Sequence, residues 1–185
     1  MKKSLIILIL SVLAMCLPVQ AEHLKFMGIP LTGTITQFQQ KLTAKGVTHD
    51  KKASATAPIG TRIFSGKFAG AKAEIIVGYD ADTKIVYGAK AVYECYSTDM
   101  RDNKYNELKP MLASKYAEEY IQTGDRNGHE AYIVNVQDDS GESVGGVFLY
   151  CDQGEFPYDD IYYVYVEYMD TQNYLKNQDS KMKDL

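Results

Sequence analysis

The chain has 185 residues, with 20 Lys and Arg against 24 Asp and Glu, and a formal net charge of −4. A chain with this balance lacks the basic field needed to offset phosphate repulsion, which argues against nucleic acid and anionic membrane surfaces as partners. Fifteen tyrosines and no tryptophan are the other compositional signal.

The first predicted element is a leader. Met1-Lys2-Lys3 is basic, Leu5 to Leu17 is a near-unbroken apolar run, and Val19-Gln20-Ala21 supplies small residues where a signal peptidase reads. This is the layout of a secretory signal peptide over residues 1–21, and its apolar run is too short to span a bilayer. Cleavage after Ala21 places the chain from Glu22 in the periplasm or outside the cell. The cleaved chain carries eighteen basic and twenty-four acidic residues, net −6. Leu13-Ala14-Met15-Cys16 has the outline of a lipoprotein site, but that motif takes a small residue where Met15 stands, so an anchor through Cys16 is disfavoured. No other long apolar segment follows the leader. The residues after the leader suit one compact domain or two small halves sharing a core, large enough to fold without a metal.

Residues 23–31 read as extended, and Pro30 disfavours helix before it. Thr34 and Gln37 form a capping box, followed by an apolar stripe of Leu31, Ile35, Phe38 and Leu42. Gly46 suits a left-handed helix end, with Val47 placed to touch Leu42. Residues 48–60 are polar and read as a loop or a poor edge strand. The period then changes to two. Strands are expected at 62–68, 71–79 and 84–96, with Ile85, Tyr87, Ala89, Ala91, Tyr93 and Cys95 on one face of the last. A second helix is expected over 100–118 with Tyr105, Leu108, Leu112 and Tyr116 buried, and Pro110 should kink or split it. Strands follow at 120–123, 129–136, 143–151 and 161–169, and residues 171–185 read as a polar tail with at most one helical turn.

This order describes an α+β fold with helices on one face of antiparallel sheet. It divides into two helix-plus-meander halves, 22–97 and 98–170. Gln40–Lys45 aligns with Pro110–Lys115, and Ala73–Asp80 with Gly145–Asp152, which suggests a tandem repeat.

Residues that carry chemistry are sparse. His23, His49 and His129 are scattered, without the i, i+4 helical pair of a zinc site, and read as exposed polar residues. Acidic groups at Asp80/Asp82, Asp138/Asp139/Glu142 and Asp152/Glu155/Asp159/Asp160 match no EF-hand loop and suit hairpin turns. Ser65-Gly66 and Ser140-Gly141 lack the glycine-flanked elbow of a hydrolase. Glu74, Glu94, Glu130 and Glu167 sit on strands, where an outward, solvated carboxylate is the ordinary expectation. A glycosidase pair among them would have to be spatial. No catalytic residue, metal or cofactor is therefore expected. Cys95 and Cys151 are candidates for a disulfide in an oxidising compartment, with two separate buried thiols as the competing arrangement.

Tyrosine supplies the stronger signal. Seven of the fifteen fall between Tyr150 and Tyr174. On the strand from Ile161, Tyr162, Val164, Val166 and Tyr168 share one face, and Tyr163, Tyr165 and Glu167 the other. Tyr163, Tyr165 and Glu167, with Tyr158 in the preceding loop, form a candidate binding surface, because tyrosine is enriched at interfaces. Cross-strand aromatic pairs also simply stabilise sheets, so the same residues have a structural reading.

Gly28-Ile29-Pro30-Leu31-Thr32-Gly33, followed by Phe38, Leu42 and Lys45-Gly46, resembles the opening of small exported bacterial proteins of unknown function. The motif marks a helix start and carries no mechanism. The duplicated helix-plus-sheet plan is similar, at the level of fold alone, to the β-lactamase-inhibitor-protein architecture. Together these readings imply an exported, non-enzymatic binding protein for a protein or cell-surface ligand. The alternatives are an inhibitor of a secreted hydrolase and a carboxylate-based hydrolase.

Overall fold

The computed structural model describes residues 23–155 and 157–182. The leader expected at 1–21, with Cys16, lies outside the described residues. The chain begins with a small ribbon, β1 (Lys25–Phe26) and β2 (Ile29–Pro30), joined through Met27 and Gly28, both at positive φ. Helix α1 (Ile35–Ala44) starts as the sequence predicts. Thr34 accepts from the Gln37 amide at 3.4 Å, and the Gln37 side chain accepts from the Thr34 amide at 3.0 Å. Ile35, Phe38 and Leu42 are its buried face.

The polar stretch after α1 is more ordered than expected. It holds a two-residue edge strand, β3 (Thr48–His49), and a short helix, α2 (Lys51–Thr56), capped by Asp50 accepting from the Ala53 amide at 2.8 Å. No residue of α2 is buried. With no apolar stripe, only the cap could have announced it.

Strands β4 (Thr61–Phe68), β5 (Ala71–Tyr79) and β6 (Val86–Cys95) form the first meander. A bulge lies between β5 and β6, since Gly78 pairs with Gly88 but Tyr79 pairs with Val86. The extra residue is Tyr87. It corrects the expected face of β6, because Val86, not Ile85 or Tyr87, joins Ala89, Ala91, Tyr93 and Cys95 in the core.

Helix α3 (Thr98–Lys115) is capped by Ser97 and runs through Pro110 without a break, so of the expected kink or split the split does not occur. Pro110 lies on the exposed side, where water can reach the carbonyl it leaves without a donor. Leu108 and Leu112 are buried, and Tyr105 and Tyr116 pack beside them. After a single 3₁₀ turn come β7 (Ile121–Arg126), β8 (His129–Gln137), β9 (Ser143–Gln153) and β10 (Tyr162–Asp170).

The expected tail is instead helix α4 (Thr171–Met182). Among its described side chains the buried ones are Asn173 and Asn177, so the apolar pattern that would reveal a docked helix is missing there. Asn173 Nδ2 donates to the Leu31 carbonyl at 2.8 Å and the Val86 carbonyl at 3.3 Å, tying α4 to the N-terminal segment and to β6. Asp170, fully buried, accepts from the Leu24 amide at 3.1 Å, His23 Nδ1 at 2.9 Å and the Asn173 amide at 3.0 Å.

The eight strands β3 to β10 form one antiparallel sheet in the order β3-β4-β5-β6-β10-β9-β8-β7. The meanders of the two halves meet at the β6–β10 pair. One face packs against the N-terminal ribbon and the helices around Phe26, Phe38, Leu42, Phe64, Ile75, Leu149 and Val164. The molecule is α+β, with its helices against a large antiparallel sheet. Among the described residues no helix is long and apolar enough to cross a membrane.

Candidate functional site

The register of the sheet defines what stands on its other, open face. Directly paired residues share a face, so one row reads Ser65, Glu74, Val92, Tyr165, Tyr150 and Ala131. The row beside it reads Ile63, Ile76, Lys90, Glu167, Phe148 and Ile133, and Tyr163 lies between Glu94 and Asp152 in another. The covered face of the same strands carries Val, Ile, Leu and Phe. Along β10 the alternation is complete, with Val164, Val166 and Tyr168 buried and Tyr163, Tyr165, Glu167 and Met169 partly exposed.

Three of the four candidate surface residues therefore stand on one face, and Tyr158, 62% exposed, lies in the loop before β10. The rings of the face are layered: Tyr150 stacks on Tyr165 at 4.8 Å and 16°, His129 lies 6.2 Å from Tyr150, and Tyr163 lies 6.1 Å from Tyr165. Burial pushes the Tyr165 hydroxyl up to about 12, with Asp152 and Tyr163 adding to it, and raises Tyr150 further for the same first reason. These phenols stay protonated as donors. Lys90 places its ammonium 5.1 Å from the Tyr165 ring centre.

Sequence reasoning missed Arg126. It leaves the tip of the β7–β8 hairpin and binds Glu167 bidentately, Nε to Oε2 at 3.0 Å and Nη2 to Oε1 at 2.9 Å. Its guanidinium lies 4.4 Å from the Phe148 ring centre. The hairpin thus caps a second apolar cluster of Ala131, Ile133 and Tyr150, with Phe148 and Tyr165 packed against it. Asn127 and Gly128, both at positive φ, form the turn that aims Arg126. The turn was legible in the sequence, whereas the side chain it directs was not. Glu167 is consequently an ion-pair partner rather than a free surface carboxylate.

Two hollows flank the Lys90–Tyr165 contact. One, of about 320 Å³, has the glycine pair Gly78–Gly88 in its lining with Tyr87, Tyr174, Lys90, Arg126, Asn127 and Glu167 around it. Tyr87 and Tyr174 meet edge to face at 5.9 Å. The other, about 570 Å³ and open across the strands, is lined by Lys72, Glu74, Val92, Glu94, Tyr96 and Tyr163 among others. Partial burial, then Asp50 and Glu94, hold the Glu74 carboxyl above its ordinary range. The remaining sequence candidate, Glu130, is in neither hollow.

The other candidates resolve into structural roles. Cys95 and Cys151 are free thiols, so the candidate disulfide is not formed. They flank β10 on two strands, opposite Tyr162 and Val164. Two strand spacings, about 9–10 Å, exceed the roughly 7 Å that a disulfide can bridge. Burial raises both thiols, Cys151 to about 11. The histidines are partly buried and partnered, not simply exposed: His23 with Asp170, His49 with Ser54 at 3.1 Å, His129 with Asp152 at 3.5 Å. Asp80 Oδ1 accepts from the Asp82 and Thr83 amides and the Thr83 hydroxyl. Asp138 does the same for Ser140 and Glu142, and the Ser140 hydroxyl first, then backbone amides, hold its carboxyl below the usual range. Among the described residues no three His, Cys, Asp or Glu side chains cluster to hold a metal ion.

Comparison of the chain with protein families, with curated proteins and with solved structures finds no match, so no residue role is carried over from a relative.

Proposed function

We propose that the chain is an exported, non-catalytic binding protein that engages a protein or cell-surface ligand through the open face of its sheet. The observation that carries this reading is the pair Tyr163 and Tyr165, partly exposed on the face opposite the apolar core. Large rings with polar tips lose little entropy on docking and bury much area. Tyr158 extends the aromatic surface into the adjoining loop. The leader over residues 1–21 belongs to the same reading, since it sends the chain to the compartment where such a partner would be met. Each half carries a helix followed by four strands, apart from the extra helix α2 in the first, and this shared order supports a tandem duplication.

The test is capture by the tagged chain from Glu22 onward, against envelope and medium of the exporting cell. One stoichiometric partner should be retained, and a Tyr163→Ala/Tyr165→Ala variant with an unchanged circular dichroism spectrum should lose it. Equal retention by that variant removes the open face from the interaction. If the captured partner is a hydrolase whose rate falls on binding, the protein is an inhibitor.

A second reading, a carboxylate-based hydrolase, draws support from Glu74 and Glu94 lining one hollow, with the Glu74 carboxyl raised as a general acid requires. It predicts turnover of a glycoside panel that Glu74→Gln abolishes. No turnover by the parent chain would eliminate it.

A further inference from the structure

We infer that the hollow bounded by Tyr87, Tyr174 and the Arg126–Glu167 pair binds a small carboxylated, hydroxyl-rich molecule, in chemical terms an acidic sugar. This rests on the open face being a binding surface and names what one part of it takes. The hollow is assembled from distant parts of the chain: Thr61 from β4, Tyr87 and Lys90 from β6, Arg126 and Asn127 from the β7–β8 hairpin, and Tyr174 from α4. At about 320 Å³ it falls at the small end of ligand clefts, suited to a compact molecule and too small for a folded partner's surface.

The ligand's charge follows from the charges present. Lys90 and Arg126 oppose the single carboxylate of Glu167, which leaves one net positive charge in an otherwise acidic chain. Arg126 is spent on Glu167. The charge to be answered is therefore that of Lys90, which is partly buried, makes no ion pair among the described residues, stands over the Tyr165 ring and acts on Glu74 only at longer range. A monoanionic carboxylate matches it. A phosphate monoester, carrying about −1.5 to −2, would overshoot it and be repelled by Glu167.

The rest of the lining suits hydroxyl groups. Tyr87 and Tyr174 offer two phenol groups and two ring surfaces, and burial keeps the Tyr87 hydroxyl protonated as a donor. Thr61 and Asn127 add a hydroxyl and an amide that can each donate and accept. The bulge that makes Tyr87 the extra residue puts its ring over the Gly78 backbone, where an added Cβ would meet that ring at 3.0 Å. Glycine there gives the ring its seat.

The experiment is calorimetric titration of the chain from Glu22 onward with glucuronate, glucose, glucosamine and glucose 6-phosphate. Glucuronate should bind saturably and at least about tenfold tighter than the other three. Lys90→Gln should weaken it about tenfold, the loss expected for one charged hydrogen bond, and Lys90→Arg should restore most of the affinity. Lys109→Gln, the same charge change on an exposed residue of α3 outside this hollow, should leave it unchanged. No saturable heat with glucuronate, equal binding of glucose or glucosamine, tighter binding of glucose 6-phosphate, or unchanged affinity in Lys90→Gln would each overturn the inference. A protein partner lost with Tyr163→Ala/Tyr165→Ala but accompanied by no sugar binding would retain the broader reading and reject this one.

Discussion

The two faces of the eight-stranded sheet are made by the same strands and divide the work between them. On the covered face, Phe64, Ile75, Val77, Leu149 and Val164 are completely buried within one apolar cluster. On the open face, aromatic and charged residues such as Tyr150, Tyr165, Lys90 and Glu167 stand among a smaller apolar cluster around Ala131 and Ile133, and ring-to-ring and ion-to-ion contacts join them. Burial of apolar area is what folds a chain of this size, so the covered face accounts for the fold. The open face is then free to carry groups that packing does not require, and its ordered rings and ion pair are the mark of that freedom.

The sharpest way to break this division is to truncate one residue from each face. Leu149→Ala leaves a void in the core and should cost about 2–5 kcal/mol in urea denaturation, whereas Tyr163→Ala should cost under about 1 kcal/mol. Comparable losses would mean that the open face also holds the fold. Next in size is Asp170→Ala. It strips the acceptor from the Leu24 and Asn173 amides and from His23, and buried donors left unpaired cost about 1–3 kcal/mol each. A total near 3 kcal/mol is expected, with early loss of hydrogen-exchange protection at Leu24 and Asn173. Arg126→Met should cost less, about 1 kcal/mol, because the pair it breaks is partly solvated and the methionine can still cover Phe148. Its signature is local: amides of β7 should exchange faster while those of β5 and β6 do not.

What the sequence revealed follows the same division. Local signals were readable, so the capping box at Thr34 and Gln37, the strands of both meanders and the alternation along β10 emerge as expected. Signals that depend on distant partners were not. The pairing of β6 with β10 joins residues about seventy positions apart, and nothing local encodes it. Helix α4 escaped detection because its inward residues are the asparagines Asn173 and Asn177, of which Asn173 bonds the carbonyls of Leu31 and Val86, so no apolar stripe marks its docked face. The bulge at Tyr87 reversed a face that strict alternation assigns otherwise. At the candidate site, Tyr163 and Tyr165 were visible by period alone, whereas Arg126 required knowing where its hairpin ends up.

The smallest effect tests whether the open face tolerates its own crowding. The Glu74 carboxyl is raised by partial burial first, then by Asp50 and Glu94, with Lys90 opposing. A carboxyl whose pKa is higher folded than unfolded contributes stability that is complete below the unfolded value and lost as pH rises through the folded one. At neutral pH the ionised Glu74 therefore disfavours the fold, by a small amount because its side chain remains exposed. Glu74→Gln should melt slightly above the parent at pH 7, and the difference should close as pH falls below the ordinary carboxylate range. A lower melting temperature at pH 7 would show that Lys72 and Lys90 satisfy Glu74 rather than leave it crowded. In that case the larger hollow would be an internal charge network, and the open face would owe its charged groups to stability after all.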